Sequence, residues 1–185
     1  MPRHRHWPVT MQAGGVVLRP MRRADEVRWT TTRELDWDWL GPWEATKPPG
    51  SHERVGGYRM MITRNRRRAK EGTSLPWAIG WDDGWPDHPA LNRGTTPLIG
   101  QLTVSSISFG SAMSCSMGYW VASAYAGRGV APTAVALACD YVFQVMGLHR
   151  VEICVRQENT KILRLCEKLG MADECMRPYD VQIDG

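Results

Sequence analysis

Two glycines, Gly127 and Gly129, stand where a predicted strand ends and a predicted helix begins. Because glycine has no Cβ, the backbone here can approach a ligand closely and direct its N–H groups toward it. The helix that follows adds unpaired N–H groups and the positive end of its dipole. This arrangement favours a bound anion, most often a phosphate. For a glycine pair taken alone, a tight turn without a ligand is the alternative.

The glycine pair matches neither of the two common nucleotide-binding motifs. The run Gly127-Arg128-Gly129 lacks the third glycine of the dinucleotide fingerprint. No Gly-Lys-Ser/Thr of a phosphate-binding P-loop follows it. The sequence therefore indicates an anion site of a different kind.

Several further motifs accompany the glycines in a fixed order along the chain. They are Leu18-Arg19-Pro20, Leu40-Gly41-Pro42-Trp43-Glu44, Gly118-Tyr119-Trp120-Val121 and Glu158-Asn159-Thr160. Together with the glycine loop they resemble the GNAT N-acetyltransferases, and within them the RimJ/RimL group, which acetylates protein N-termini. The resemblance covers residues 15–185. The chain departs from the family pattern Gln/Arg-x-x-Gly-x-Gly/Ala at its first position, which is Ala126.

The resemblance implies that acetyl-CoA is the co-substrate. In the family, the pantetheine arm lies between two parallel strands that splay apart. Backbone groups of the first strand bond the arm and polarise the acetyl carbonyl, loop N–H groups hold the pyrophosphate, and Arg128 supplies a counter-charge. The implied cofactor-binding residues are Trp120, Val121, Gly127, Arg128, Gly129, Val130, Ala131 and Asn159.

Acetyl transfer to an amine needs removal of a proton and stabilisation of negative charge on the carbonyl oxygen. An α-amino group has a pKa near ~8, so mild assistance is enough. The candidate bases are Asp38 and Glu44, in a stretch where carboxylates can hold an ammonium group and indoles can shape a pocket. A short buried helix and turn is the alternative interpretation of this stretch.

A side-chain acid is not evident. The family often carries a tyrosine acid where this chain has Cys166, and RimL relatives often have a serine where Ile162 stands. Neither residue is a good proton donor. A covalent acetyl-cysteine would need a thiol paired with a base, whereas Cys166 lies on an apolar helix stripe typical of a core residue. We therefore predict direct transfer without an essential side-chain acid.

The predicted function is acetylation of a protein N-terminal amine, for example of a ribosomal protein. One alternative is a small-molecule amine acceptor such as an aminoglycoside. Another is a non-catalytic module that binds acyl-CoA or the ribosome. Five cations cluster near the end of one predicted helix: Arg64, Arg66, Arg67, Arg68 and Lys70. Such a cluster is typical of a solvated face at the negative end of a helix. The alternative is contact with the ribosome or with CoA phosphates.

Composition limits the remaining classes. A chain of 185 residues favours one domain, and a net charge of +4 suits an anionic ligand without specifying one. The five cysteines contain no Cys-x-x-Cys, so no metal site is predicted. An odd cysteine number without a secretory signal favours the cytoplasm, and no apolar run is long enough for a membrane span.

The patterns predict one α/β domain with a mixed, mostly antiparallel sheet, splayed central parallel strands and flanking helices. Residues 1–14 are expected to form a flexible arm and residues 15–185 the acetyltransferase domain. Strands are predicted at 16–21, 75–81, 98–107, 113–121 and 149–156, and helices at 24–34, 51–71, 132–146 and 159–169. Ser51 is the expected cap of the second helix and Gly72 its end.

Two segments carry expectations of their own. Residues 82–97 contain several prolines and glycines, and we expect an exposed loop there. Residues 173–185 are expected to begin a sixth strand whose edge lacks a partner. A second chain, as in a homodimer, or further residues of the natural protein would then cover that edge, while a monomer with a fully paired last strand would contradict this.

Overall fold

A computed structural model describes residues 7–45, 56–82 and 96–176. Within these residues one six-stranded sheet has the order β1-β2-β3-β4-β5-β6. Neighbouring strands are antiparallel except for β5 and β6, which are parallel and lie at one edge of the described sheet. This confirms the predicted mixed, mostly antiparallel sheet. The strands are β1 Met11–Ala13, β2 Val16–Pro20, β3 Leu75–Trp81, β4 Leu98–Ser108, β5 Ser114–Val121 and β6 Arg150–Glu152.

Helices cover both faces of the sheet. They are α1 Glu26–Leu35, α2 Trp37–Leu40, α3 Tyr58–Glu71, α4 Val130–Asp140 and α5 Thr160–Lys168. Alternation along β3 sends Trp77 and Ile79 into the core shared with α4, and Ala78 between them into the core shared with α3. Gly72 ends α3 as predicted, whereas Pro132 is the third residue of α4 rather than its first.

A buried ion pair fixes the start of α1 against the sheet. The guanidinium of Arg19 on β2 donates from both terminal nitrogens to the Asp25 carboxylate, at 2.7 and 2.9 Å. The side chains are 3% and 10% exposed. Arg19 Nε also donates to the Thr96 carbonyl beside β4, and Asp25 accepts the Arg22 N–H at 2.8 Å. The pair therefore ties β2, the α1 start and the β4 start together.

Residues 7–14 pack on the sheet, so the predicted flexible arm is wrong for them. Trp7 lies edge-to-face on Trp77 at 5.1 Å between centroids, and Trp77 Nε1 donates to the Val9 carbonyl at 3.2 Å. Strand β1 pairs with β2 across the turn at residues 14–15. A three-residue strand is too short to show the alternation from which strands are predicted. Residues 1–6 lie outside the described chain.

The predicted strand at 149–156 is much shorter in the structure. Pairing of β6 with β5 ends at Ser116↔Glu152, whereas β5 continues to Val121. The chain after Glu152 leaves β5, which is the splay that the family resemblance implied. Residues 173–176 form no strand. Ser51, residues 83–95 of the predicted loop and residues 177–185 lie outside the described residues.

Candidate active site

Beyond Ser116, β5 has no partner strand on its β6 side among the described residues. The N–H of Ala122 donates to the Ile99 carbonyl on β4 at 2.8 Å. Because successive residues of a strand point their backbone groups to opposite sides, Val121 and Tyr119 direct theirs toward the split. Trp120 directs its backbone toward β4, where it pairs with Gln101. Of the two predicted strand contacts, Val121 therefore offers backbone groups in the split, and Trp120 offers its indole on the α1 side.

The α1–α2 junction closes one side of the split. The Asp36 carboxylate accepts hydrogen bonds from the N–H and the hydroxyl of Ser123, both at 2.7 Å. The indole N–H of Trp39 donates to the Val121 carbonyl at 3.2 Å. The ammonium of Lys161 on α5 lies 3.9 Å from the Trp39 ring centroid. The segment is thus fastened to the end of β5 and to α5, on both sides of the split.

The glycine loop has the geometry of an anion site. Gly127 and Gly129 both adopt left-handed backbone conformations, with φ of 74° and 77°. The first bond of α4 runs from the Thr133 N–H to the Gly129 carbonyl at 3.1 Å. The N–H groups of Val130 and Ala131 therefore precede the hydrogen-bonded ladder of the helix. Val130 is buried, whereas Ala131, the next residue of the helix, is partly exposed.

Two more of the predicted cofactor contacts are Arg128, within the loop, and Asn159, at the start of α5. Arg128 is exposed, and its guanidinium carbon lies 5.6 Å from the Tyr125 ring centroid. Asn159 is buried, and its side-chain oxygen accepts the Ile162 N–H at 3.3 Å, which confirms the predicted helix cap. The cap places Asn159 at the start of α5, the helix that also carries Lys161.

The two carboxylates proposed as bases lie on different elements. Asp38 is exposed on α2. Glu44 forms an ion pair with Arg33, at 2.7 Å between Oε1 and Nη2. The carboxylate that reaches the end of β5 is Asp36, which the sequence reasoning passed over although it lies in the same aromatic stretch. Its importance depends on tertiary packing and leaves no local signal.

Tyr119 lies on β5 next to Trp120, and the sequence reasoning assigned no role to its side chain. Its side chain points into the core shared with α4 and α5, and its hydroxyl is buried without a hydrogen-bond partner among the described residues. Burial raises the pKa of the phenol, and the nearby Cys166 thiol adds to the increase. Burial likewise raises the pKa of the Cys166 thiol, so the thiolate needed by a nucleophile is disfavoured.

Replacing Tyr119 by phenylalanine is expected to increase the free energy of unfolding by about 1 kcal/mol, because it removes a buried hydroxyl without a partner. Urea denaturation would measure the change. Tyr58→Phe is the matched control, since the Tyr58 hydroxyl donates to the Arg22 carbonyl at 2.7 Å and its loss should be destabilising. A clearly destabilised Tyr119→Phe protein would show that the Tyr119 hydroxyl does have a hydrogen-bond partner.

The described residues hold no group of three or more His, Cys, Asp or Glu side chains placed to bind a metal ion. In the same part of the chain, none of the helices has both the length and the apolar character needed to cross a membrane.

Comparison with known proteins places this geometry in a family. The sequence model described as "Acetyltransferase (GNAT) domain" matches residues 16–172. "Probable N-acetyltransferase YjcK" of Bacillus subtilis is 34% identical over 131 residues, which are 71% of this chain and 66% of that protein. "Spermidine N(1)-acetyltransferase" of Escherichia coli K12 is 36% identical over 61 residues, 33% of each chain. The matched segments thus span two thirds or less of these relatives.

Solved structures share the fold over a longer range. The structure described as "Mycobacterium smegmatis RimJ in complex with CoA-disulfide" superposes with a TM-score of 0.83 at 31% identity, covering 100% of this chain and 85% of that one. A ribosomal-protein-S5-alanine acetyltransferase from Vibrio fischeri gives a TM-score of 0.78 at 20% identity, covering 96% and 90%. At that identity the second likeness concerns the fold alone.

Proposed function

The chain belongs to the GNAT acetyltransferase family, and from this premise we propose that it transfers the acetyl group of acetyl-CoA to the N-terminal amine of a protein. The single observation that carries the proposal is the split between β5 and β6, with the glycine loop at the start of α4 beyond the end of β5. The split suits a narrow chain such as pantetheine, and the loop suits its pyrophosphate.

The glycine loop supports the cofactor assignment on physical grounds. Left-handed glycines at 127 and 129 let the backbone turn so that helix N–H groups meet an anion without an intervening side chain. Arg128 is exposed and can add a positive charge. Acetyl-CoA supplies an activated thioester, and these residues would hold its phosphates and orient its arm along β5.

Placement of the reactants is the main contribution that this site can make to the rate. The backbone N–H of Val121 faces the split, where it could donate to the carbonyl oxygen as charge develops. Holding the amine and the thioester together removes much of the entropic barrier. Glu44 is engaged by Arg33 and Asp38 is exposed, so neither carboxylate is poised as a dedicated base. We infer that water removes the proton of an α-amine.

The proposed acceptor class depends on how much of the chain is covered by its similarity to two kinds of acetyltransferase. The likeness to the RimJ structure covers the whole chain, which favours a protein N-terminus, including that of a ribosomal protein. The likeness to spermidine acetyltransferase covers 33% of the chain and makes a polyamine the second candidate. Contact with the ribosome through the exposed basic face of α3 stays a prediction.

A thiol-release assay tests the proposal. The full chain is incubated with acetyl-CoA and one acceptor at a time. The acceptors are peptides with free N-termini, lysine-free versions of these peptides with blocked N-termini, spermidine and an aminoglycoside. We expect release of CoA with free N-termini and none with the blocked, lysine-free versions. CoA binding without release for any amine would instead support a non-catalytic acyl-CoA-binding module.

Direct transfer makes a prediction for Cys166. Cys166→Ala should keep kcat/KM within about tenfold, that is ~1.4 kcal/mol of barrier, because the thiol is neither an acid nor a nucleophile in this account. Cys139→Ala on α4 is the matched control, since that thiol is also partly buried and its pKa is raised to about 11. A thousandfold loss in a stable Cys166→Ala protein, or a trapped acetyl-enzyme, would refute direct transfer.

A further inference from the structure

The guanidinium of Arg33 lies between two indoles beside the candidate site. Its central carbon is 4.9 Å from the ring centroid of Trp29 and 5.5 Å from that of Trp120. The two indoles meet edge-to-face, with 6.5 Å between centroids. The Glu44 carboxylate completes the arrangement through its ion pair with Arg33. We call Trp29, Trp120 and Glu44 the cation cage.

Several elements of the fold hold the walls of the cation cage. The Trp29 indole N–H donates to the Gln101 side chain on β4 at 2.9 Å, and Gln101 in turn donates to the Thr103 hydroxyl. Trp120 belongs to β5, and Glu44 follows the turn after α2. The Arg33 side chain is 19% exposed and that of Glu44 is 33% exposed. The sheet therefore holds both indoles in place, with the Arg33 cation between them.

Two aromatic faces and a carboxylate are the groups that bind an organic cation. Here the protein's own guanidinium fills that position. An incoming ammonium group would have to displace Arg33 or lie beside it, and like charges repel strongly where water is partly excluded. The cage as built therefore rejects a second cation.

The cage also adjoins the end of β5, where an acceptor would meet the thioester. Trp120 immediately precedes Val121, whose carbonyl faces the split and accepts the Trp39 indole N–H. An acceptor that reaches the end of β5 from the α1 side therefore passes Arg33. A guanidinium has five N–H donors, and its ion pair with Glu44 is made through Nη2. Its further donors suit a carbonyl or carboxylate oxygen.

We propose that Arg33 determines the acceptor class. It occupies the cation cage, so that the site takes an amine whose neighbour is a carbonyl, as at a peptide N-terminus, and rejects a polycation such as spermidine. The inference rests on the proposed acetyltransferase function, and it narrows the two acceptor classes to one.

Arg33→Ala and Arg33→Met test this inference, the second because methionine preserves much of the side-chain volume. Calorimetry with spermidine should show no binding to the unaltered protein and measurable binding to both variants, because neither variant has a positive charge between the indoles to repel a cation. In thiol-release assays the ratio of kcat/KM for spermidine to that for a peptide should rise at least tenfold. Arg33→Lys should retain the original preference, since a cation still fills the cage.

Arg28→Ala is the matched control on the same helix. Arg28 is exposed and donates to the Leu98 carbonyl outside the cage, so its loss should leave the spermidine-to-peptide ratio unchanged. The inference is overturned if the unaltered protein binds spermidine as tightly as folded Arg33→Ala, or if neither neutral variant changes the ratio. Failure of the unaltered protein to acetylate any amine would refute the proposed function instead, whereas the spermidine calorimetry would still report on the cage.

Discussion

Replacing Gly129 by valine is expected to weaken the binding of CoA about hundredfold. Gly129 has a φ of 77° and forms the N-cap of α4. A β-branched residue there is strained, and its side chain would stand between the pyrophosphate and the N–H groups of the helix. Hydrogen bonds to charged groups contribute about 1.5–3 kcal/mol each, so losing one or two corresponds to roughly a hundredfold in Kd. Isothermal titration calorimetry with CoA measures the effect.

Gly147→Val separates loss of the site from backbone strain. Gly147 has a φ of 71°, and a Cβ added at either glycine meets no other atom within 4 Å. The two substitutions should therefore cost similar stability, but Gly147 lies beyond Asp140, at the end of α4 that is away from the glycine loop. We expect unchanged CoA affinity for Gly147→Val. If a folded Gly129→Val protein bound CoA as tightly as the unaltered protein does, the glycine loop would not be the pyrophosphate site.

The second large effect concerns stability. Asp25→Ala should lower the free energy of unfolding by about 3–5 kcal/mol, because it leaves the buried guanidinium of Arg19 without its counter-charge. It also removes the acceptor for the Arg22 N–H. Urea unfolding followed by circular dichroism measures the loss. This pair anchors the start of α1, the helix that carries Trp29 and Arg33. The variant should therefore also weaken the packing of α1 against β4 and β5.

Glu26→Ala is the matched control for Asp25→Ala. Glu26 is the next residue, and it also pairs with an arginine, Arg59, at 2.8 Å. That arginine side chain is 81% exposed, however, and exposed ion pairs contribute little to stability. We expect little or no change in the urea midpoint. Equal losses in the two variants would mean that burial of the Arg19–Asp25 pair does not determine its contribution.

The parts of the site that the sequence predicted depend on neighbouring residues. Left-handed glycines before a helix and the side-chain cap at Asn159 follow from backbone geometry within a few positions. Apolar periodicity predicted β2 to β5 and the helix after the glycine loop, although not β1, and it placed the loop at the start of α4. The cofactor residues named from the sequence lie at the end of β5, in the glycine loop with the start of α4, and, in the case of Asn159, at the start of α5.

The parts that the sequence missed depend on distant residues. The bonds of Asp36 to Ser123 and of Trp39 to Val121 exist because α2 packs against the end of β5, which no local pattern encodes. A helix break at Asp36 also turns this carboxylate, rather than Asp38, toward the strand. The sequence reasoning did not single out Arg33, whose position between two indoles appears only when α1 lies across β4 and β5.

Mapping the transferred acetyl group tests the central claim most directly. The protein would be incubated with acetyl-CoA and a peptide that has a free N-terminus and an internal lysine, and the product analysed by tandem mass spectrometry. An α-amine has a pKa about 2.5 units below that of lysine, so a site without a dedicated base should favour it. We predict one acetyl group, on the α-amine, with one thiol released per peptide. Acetylation confined to the lysine, or acetylation of spermidine with the peptide left unmodified, would contradict the account.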